Sequence, residues 1–173
     1  DILKLIRKDI QIFLCPGQHD GVRVTEPQPP IGKDFAEPLH EIKNLHLVSN
    51  PAFIEIGQGS SNEEKFKVLM YHGASMHNFV NEIEELRLAK AHNAPAKIVK
   101  HLLKRRHLSP IHSLATYVPF EHDPLIIREV PDIIAIPASK DLSEWFYDQA
   151  MCIEVEADPV KHTTFEKLVQ ILR

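Results

Sequence analysis

The sequence has few cysteines and no long apolar run. Cys15 and Cys152 are its only cysteines, and two residues so far apart form neither a disulfide framework nor a zinc ribbon. No stretch approaches the roughly eighteen apolar residues that a membrane-spanning helix needs, and the amino end carries no basic and apolar leader. We therefore expect a cytoplasmic protein that does not contact a membrane, with both thiols buried.

An excess of positive charge is also absent. The chain of 173 residues has 20 lysines and arginines against 24 aspartates and glutamates, a formal net charge of −4, so its overall field does not attract nucleic acid. Residues 97–106 depart from this average because they contain no acid. Their basic side chains are Lys97, Lys100, Lys104, Arg105 and Arg106. They could bind DNA phosphates or an acidic partner face, or they could form a solvated helix face.

Strand and helix patterns alternate along the chain. Short apolar runs predict strands at 10–15, 45–48, 52–56, 66–71, 125–127, 133–136 and 152–155. Helical spacing of apolar residues predicts helices at 1–8, 76–91, 94–106, 142–146 and 164–172. The prolines of 26–38 predict an irregular loop, and the polar residues 57–64 predict a hairpin connection. We expect one α/β domain with a mixed sheet, because several strands are joined by short turns.

One strand ends in a Gly-x-His-Asp turn. Residues 13–15 lead into Gly17-Gln18-His19-Asp20, which places an amide, an imidazole and a carboxylate at the carboxyl end of a buried strand. In α/β folds this is where phosphate and metal sites are built. The predicted strand at 66–71 is likewise followed directly by His72-Gly73. Taken alone, the first ending is equally consistent with a capped turn. A histidine at a strand end, like that of the second, is more commonly one whose polar groups are satisfied within the core.

Short motifs follow one another in a specific order along the first three quarters of the chain. They are Pro16-Gly17-Gln18-His19-Asp20, Glu26-Pro27-Gln28-Pro29, Ser49-Asn50-Pro51-Ala52, Tyr71-His72-Gly73, Leu103-Lys104-Arg105-Arg106-His107-Leu108-Ser109-Pro110 and Val130-Pro131-Asp132-Ile133. In this order they resemble the small subunits of archaeal D-family DNA polymerases. The resemblance covers about residues 1–134 and leaves 135–173 unassigned. It implies a single calcineurin-like phosphoesterase domain, residues 1–173, built as a β-sandwich flanked by helices, and the abrupt start leads us to expect that amino-terminal elements are missing.

The resemblance also implies a site for two divalent cations, Mn²⁺ or Mg²⁺, that acts as a 3′ to 5′ exonuclease and serves the polymerase's large catalytic subunit. Members of the family take its ligands from an Asp-x-His, a Gly-Asp pair, the Asn of Gly-Asn-His-Asp, a later His and a final Gly-His-x-His. On these motifs His72 matches the later metal ligand, and Gln18 stands at the Asn position. His19 matches the residue that contacts the scissile phosphate or protonates the leaving oxygen.

Several of these ligands are missing from the sequence. The first two motifs do not occur, and no histidine follows Pro131-Asp132-Ile133 where Gly-His-x-His belongs. The Gln18 side chain is one methylene longer than that of Asn. This moves its amide oxygen further than a metal ligand can deviate from its ideal distance, which is about 0.2 Å. Whether the chain is an enzyme is therefore open.

Three hypotheses follow from this pattern. In the first, the chain is a scaffold that supports the large polymerase subunit and meets DNA through the complex, with a degenerate metal site and no cofactor. In the second, it is an active exonuclease that uses Mn²⁺ or Mg²⁺ and whose missing ligands lie outside the chain. In the third, it is a stand-alone phosphatase, which the polymerase-like segments 26–29 and 105–110 disfavour.

Overall fold

A computed structural model of the protein describes residues 2–57, 65–91, 94–137 and, for the backbone, 150–154. A 3₁₀ turn, Ile2–Leu5, precedes strand β1, Ile12–Leu14, which pairs in parallel with β2, Leu45–Leu47. The helix predicted at 1–8 is thus reduced to one short turn, because an isolated short helix is marginal in water.

Helix α1, Lys33–His40, lies between the two strands, within and beyond the segment predicted to be irregular. Its backbone is non-helical at Ala36, and Pro38 follows this break. Proline is tolerated in the first turn of a helix, where its missing N–H is not needed. The prolines therefore interrupt the helix without preventing it, and the prediction of a loop throughout 26–38 is wrong at its end.

A larger mixed sheet has the order β3-β4-β5-β6. Its strands are β3, Ala52–Ile56; β4, Phe66–Met70; β5, Ile133–Pro137; and β6, Ala150–Glu154. The β3 and β4 strands are antiparallel, β4 and β5 are parallel, and β5 and β6 are antiparallel. The predicted mixed sheet is confirmed, and so is the strand near residue 152. The antiparallel β3–β4 pair agrees with the predicted hairpin, although most of its connection, 58–64, lies outside the described residues.

Three further described helices lie between residues 74 and 105. They are α2, Ala74–Glu82; α3, Glu84–Leu88; and α4, Pro95–Arg105, which begins with proline as predicted. The single helix predicted at 76–91 is wrong, because Ile83 is extended (φ −102°, ψ 110°). Glu84 and Glu85 then lie in the first turn of α3. Acidic side chains are favourable at a helix amino terminus and unfavourable near a carboxyl terminus. The break at Ile83 therefore places these two glutamates where the helix dipole stabilises them.

The strand predicted at 125–127 does not form. Ile126 makes only an isolated bridge with His107, flanked by hydrogen bonds from Leu108 N–H to the Leu125 carbonyl (2.9 Å) and from Ile127 N–H to the Arg106 carbonyl (2.8 Å). Arg106 has left-handed backbone (φ 55°), so its chain turns too sharply to extend the pairing. The helices predicted at 142–146 and 164–172 lie outside the described residues.

The core lies between the four-stranded sheet and helices α2, α3 and α4. On the sheet side, Leu69 of β4 is opposite Ile134 of β5, and both are buried. The helices contribute the buried residues Met76, Phe79, Val80, Leu86, Ile98, Val99 and Leu102. The described residues therefore form a mixed α/β fold in which β4, held at the centre, projects its carboxyl end toward the turn that follows β1.

Candidate functional site

The turn after β1 lies against the end of β4. A β-carbon on Gly17 would stand 2.6 Å from Nε2 and 2.8 Å from Cδ2 of His72, so the imidazole ring rests on the backbone of the glycine. Such distances are too short for any real side chain. The structure thus brings the Gly-x-His-Asp turn and the His-Gly strand end, which are 55 residues apart in the sequence, into one site.

Two buried amides connect the loops around this site. The Nε2 group of Gln28 donates to the carbonyl oxygens of Gly17 (3.1 Å) and Arg23 (3.0 Å). Its Oε1 accepts from Nδ2 of Asn50 (2.7 Å), and Oδ1 of Asn50 accepts from the backbone N–H of His72 (2.8 Å). The side chains of Gln28 and Asn50 are 1% and 0% exposed. One chain of hydrogen bonds therefore ties together the segments that follow β1, β2 and β4.

Sequence reasoning missed Gln28 and Asn50 as organising residues. Both lie in motifs that carry the family resemblance, Glu26-Pro27-Gln28-Pro29 and Ser49-Asn50-Pro51-Ala52. Their backbones also pair, since each N–H donates to the other's carbonyl oxygen (2.7 and 3.0 Å). The available signal was an amide next to proline in each motif, a position where the chain turns and buries polar groups that need partners.

The turn from Gly17 to Asp20 is closed by its own carboxylate. The backbone N–H of Gly17 donates to Oδ2 of Asp20 over 2.7 Å. Gln18 is half-buried in this turn, whereas His19 and Asp20 are exposed. Asp20 therefore has the structural use that a capped turn requires, and His19 is accessible from solvent.

His72 lies in an electrostatic environment set by this turn. Partial burial lowers the pKa of His72 below its usual value; the charge of Asp20 opposes that shift and His19 reinforces it. Burial also raises the pKa of the Cys15 thiol, with a smaller contribution of the same sign from Asp20. Both shifts favour neutral groups at neutral pH. The site therefore combines a neutral imidazole and thiol with an exposed carboxylate.

Among the described residues, the side chains around this turn do not fit a centre for two metal ions. Within the described residues, no three His, Cys, Asp or Glu side chains are grouped so that they could hold one metal ion. A dinuclear centre needs a larger set, because each cation requires several converging ligands. The amide oxygens of Gln28 and Asn50, which are chemically suited to Mg²⁺, already accept the hydrogen bonds described above. The sequence-predicted ligands Gln18 and His72 are thus placed in a site organised by hydrogen bonds.

A buried carboxyl group lies behind the site. Glu26 and Tyr71 are each 1% exposed, and the Tyr71 hydroxyl is 3.1 Å from Oε2 of Glu26 and 2.9 Å from Oγ of Ser75. The Ser75 hydroxyl donates to the Leu108 carbonyl oxygen. Oε1 of Glu26 has no hydrogen-bond partner among the described residues. Burial raises the pKa of Glu26 to about 7, against the opposing effect of Tyr71, so this carboxyl binds a proton near neutral pH.

The two arginines of residues 97–106, the basic segment, contact other groups of the protein. Nε of Arg106 donates to the Ile127 carbonyl oxygen (2.8 Å), and Nη2 donates to that of Arg128 (2.5 Å). The guanidinium carbon of Arg105 lies 5.7 Å from the centre of the Phe79 ring, within cation–π range. Both arginines, although exposed, therefore contact other groups of the protein, which the sequence pattern did not indicate.

The lysines of the same segment point away from the core. Lys97, Lys100 and Lys104 are exposed, and they lie opposite the buried face of α4, formed by Ile98, Val99 and Leu102. Nζ of Lys97 makes one long contact with the Ala89 carbonyl oxygen (3.4 Å). None of the three forms an ion pair with another described residue.

The chain matches a known protein family and is similar in sequence to several curated proteins. A sequence model of the DNA polymerase alpha/epsilon B-subunit family matches residues 1–144. The DNA polymerase II small subunit of Archaeoglobus fulgidus is 40% identical over 130 residues, 75% of this chain and 24% of the relative. That of Pyrococcus horikoshii is 32% identical over 179 residues, 99% of this chain and 26% of the relative. The chain spans about a quarter of the length of the curated relatives it matches. In the described part of the chain, no helix has the length and apolar character to span a bilayer.

Proposed function

Because the chain belongs to the DNA polymerase alpha/epsilon B-subunit family, as its motifs predicted, we propose that it acts in DNA replication as part of the small subunit of an archaeal D-family polymerase. In this role a calcineurin-like phosphoesterase fold supports the large catalytic subunit, and its own metal site is degenerate. The partner is the large subunit, and DNA is reached through the complex.

The hydrogen-bond chain from Gly17 through Gln28 and Asn50 to His72 is the observation that supports this proposal most directly. In a two-metal hydrolase, the loops at the strand ends present their oxygen and nitrogen atoms to the cations. Here the amides of these loops are buried and bonded to one another. Such a satisfied buried network makes the loops rigid, which suits a surface that holds a partner better than a centre that must bind and release substrate.

The alternative is an active 3′ to 5′ exonuclease that uses Mn²⁺ or Mg²⁺, with further ligands from outside these residues. One observation favours it: Asp20 and His19 are close enough to His72 to affect its pKa. The turn and the strand end that carry the sequence-predicted residues are therefore brought together. His72 would then bind metal through its neutral imidazole, and His19, being exposed, would contact the phosphodiester.

Measurements on the purified chain and its polymerase complex separate these functions. For a scaffold, the chain co-elutes with the large subunit of the same organism, and millimolar Mn²⁺ barely changes its melting temperature, since a ligand stabilises a protein only by binding the native state preferentially. A 3′-labelled single strand stays intact. An exonuclease predicts a large Mn²⁺-dependent stabilisation and strand shortening that His19→Ala abolishes and His122→Ala, at another exposed histidine, leaves unchanged. Failure to co-elute would contradict the scaffold.

A further inference from the structure

We propose that Lys97, Lys100 and Lys104 of α4 form a DNA-binding face that contacts backbone phosphates without reading sequence. The inference rests on the proposed role in replication and assigns a nucleic-acid contact to this chain itself. The inference starts from a difference among five basic side chains that are all exposed. The two arginines contact a carbonyl group and an aromatic ring of the same protein, whereas the three lysines form no ion pair with another described residue.

The three lysines lie along one line. An α-helix rises 1.5 Å and turns about 100° per residue, so positions 97, 100 and 104 fall within an arc of about 60° and span about 10.5 Å. One DNA strand advances about 3.4 Å along the duplex axis for each phosphate. The line of lysines therefore spans about three phosphate-to-phosphate steps along the duplex axis.

The chemistry of the face favours a phosphate backbone over a protein. Protein interfaces are enriched in aromatic residues and arginine and are depleted in lysine. On α4 the arginine that lies near an aromatic ring, Arg105, is packed against Phe79 of the same chain, and the outward positions are lysines. Lysine binds phosphate as a point charge on a flexible stem, without the planar geometry that carboxylate pairing favours.

The local charge is strong enough to act despite the net charge of −4. Helix α4 contains no acidic residue. His101, on the edge of the same face, lies 3.5 Å from Glu85 of α3. At physiological ionic strength, the field of more distant acids is screened over about 8 Å. A phosphate in contact with these lysines therefore experiences their charges more strongly than those of acids beyond this distance.

The test is the salt dependence of binding to a 20-base-pair duplex without a defined sequence, measured by fluorescence anisotropy for the chain and for its complex with the large subunit. Each phosphate contact contributes about 0.9 to the slope of log K against log salt concentration. The triple variant K97A/K100A/K104A should lower the magnitude of this slope by about 2.7. The three contacts account for about a 40-fold loss of affinity between 50 and 200 mM salt, and the variant should not show this part of the loss.

A matched control removes the same charge elsewhere. The variant K4A/K8A/K43A changes three exposed lysines outside α4, and its slope should stay that of the wild type. The charge-preserving variant K97R/K100R/K104R should also keep the slope, which separates phosphate binding from damage to the helix. Equal slopes in wild type and K97A/K100A/K104A would overturn the proposal. If that variant instead lost the large subunit with its DNA slope unchanged, the face would bind an acidic protein surface. Loss of co-elution by the unmodified chain would count against the proposed function alone.

Discussion

The imidazole of His72 fills the space that a side chain at position 17 would need. Nε2 would lie 2.6 Å from a β-carbon there, and the loop that carries Gly17 is held in place by Gln28. The glycine of the Gly-x-His-Asp turn is therefore required by packing against a second motif. This requirement exists whether or not the site ever holds a metal ion.

The substitution Gly17→Ala should destabilise the protein by about 1–3 kcal/mol, because overpacking forces the ring or the turn to move. The double variant Gly17→Ala/His72→Ala should be less destabilised than the sum of the single variants, since removal of the ring makes room for the methyl group. Urea unfolding measures each free energy. Gly32→Ala is the control, because its β-carbon would lie 3.8 Å from Phe35, an ordinary contact. Additive losses in the double variant would show that the two residues do not compete for space.

Glu26 should make stability depend on pH. Its pKa is raised from 4.5 to about 7 by burial, so the folded protein binds a proton that the unfolded chain has released over this range. The resulting stabilisation is fully present below about pH 4.5 and is lost as the pH rises through about 7, a change of about 3 kcal/mol. Glu26→Gln should be nearly neutral at pH 5 and stabilising at pH 8.

Unfolding by urea at both pH values tests this prediction. The control Glu121→Gln changes an exposed glutamate and should leave the pH dependence of the wild type intact. If Glu26→Gln lost as much stability as the wild type between pH 5 and pH 8, another group would have to carry the effect.

Prediction from sequence succeeded where a short pattern determines the structure by itself. The apolar run that became β4 and the Pro95 start of α4 are local signals, and both were confirmed. The break at Ile83 was missed because 76–91 has helical spacing throughout. The 125–127 run has the composition of a strand, but strand formation needs a partner, and the segment opposite it turns away at Arg106.

The sequence indicated which strand ends carry polar residues, but it did not indicate the hydrogen bonds that connect the loops around them. The positions of His19 and His72 after apolar runs identified two strand ends that meet in the structure. The link between Gln28 and Asn50 joins residues 22 apart, and which amide finds which carbonyl depends on the tertiary arrangement of loops. The same holds for Glu26, whose high pKa arises from burial that a charged residue in a proline-rich segment does not suggest.

Asn50→Ala should cost more than an ordinary loss of one hydrogen bond. The side chain is fully buried and serves as acceptor for His72 N–H and as donor to Gln28, so alanine leaves two buried polar groups without partners. Each costs about 1–3 kcal/mol, and we expect a total of about 2–6 kcal/mol in urea unfolding. Asn81→Ala, an exposed asparagine on α2, should change stability by less than about 0.5 kcal/mol. A similar small effect of Asn50→Ala would mean that the loops are held by other contacts.

Arg106 and Lys104 should respond to alanine in opposite ways, although both are basic and nearly adjacent. Arg106→Ala removes two hydrogen bonds to the carbonyl oxygens of Ile127 and Arg128, which should lower the free energy of unfolding by about 1–3 kcal/mol and leave the salt slope of DNA binding unchanged. Lys104→Ala should leave stability within about 0.5 kcal/mol and reduce the slope by about 0.9. Urea unfolding gives the free energy of unfolding of the two variants, and anisotropy titrations give their salt slopes. A reduced slope for Arg106→Ala at unchanged stability would reassign that arginine to the binding face.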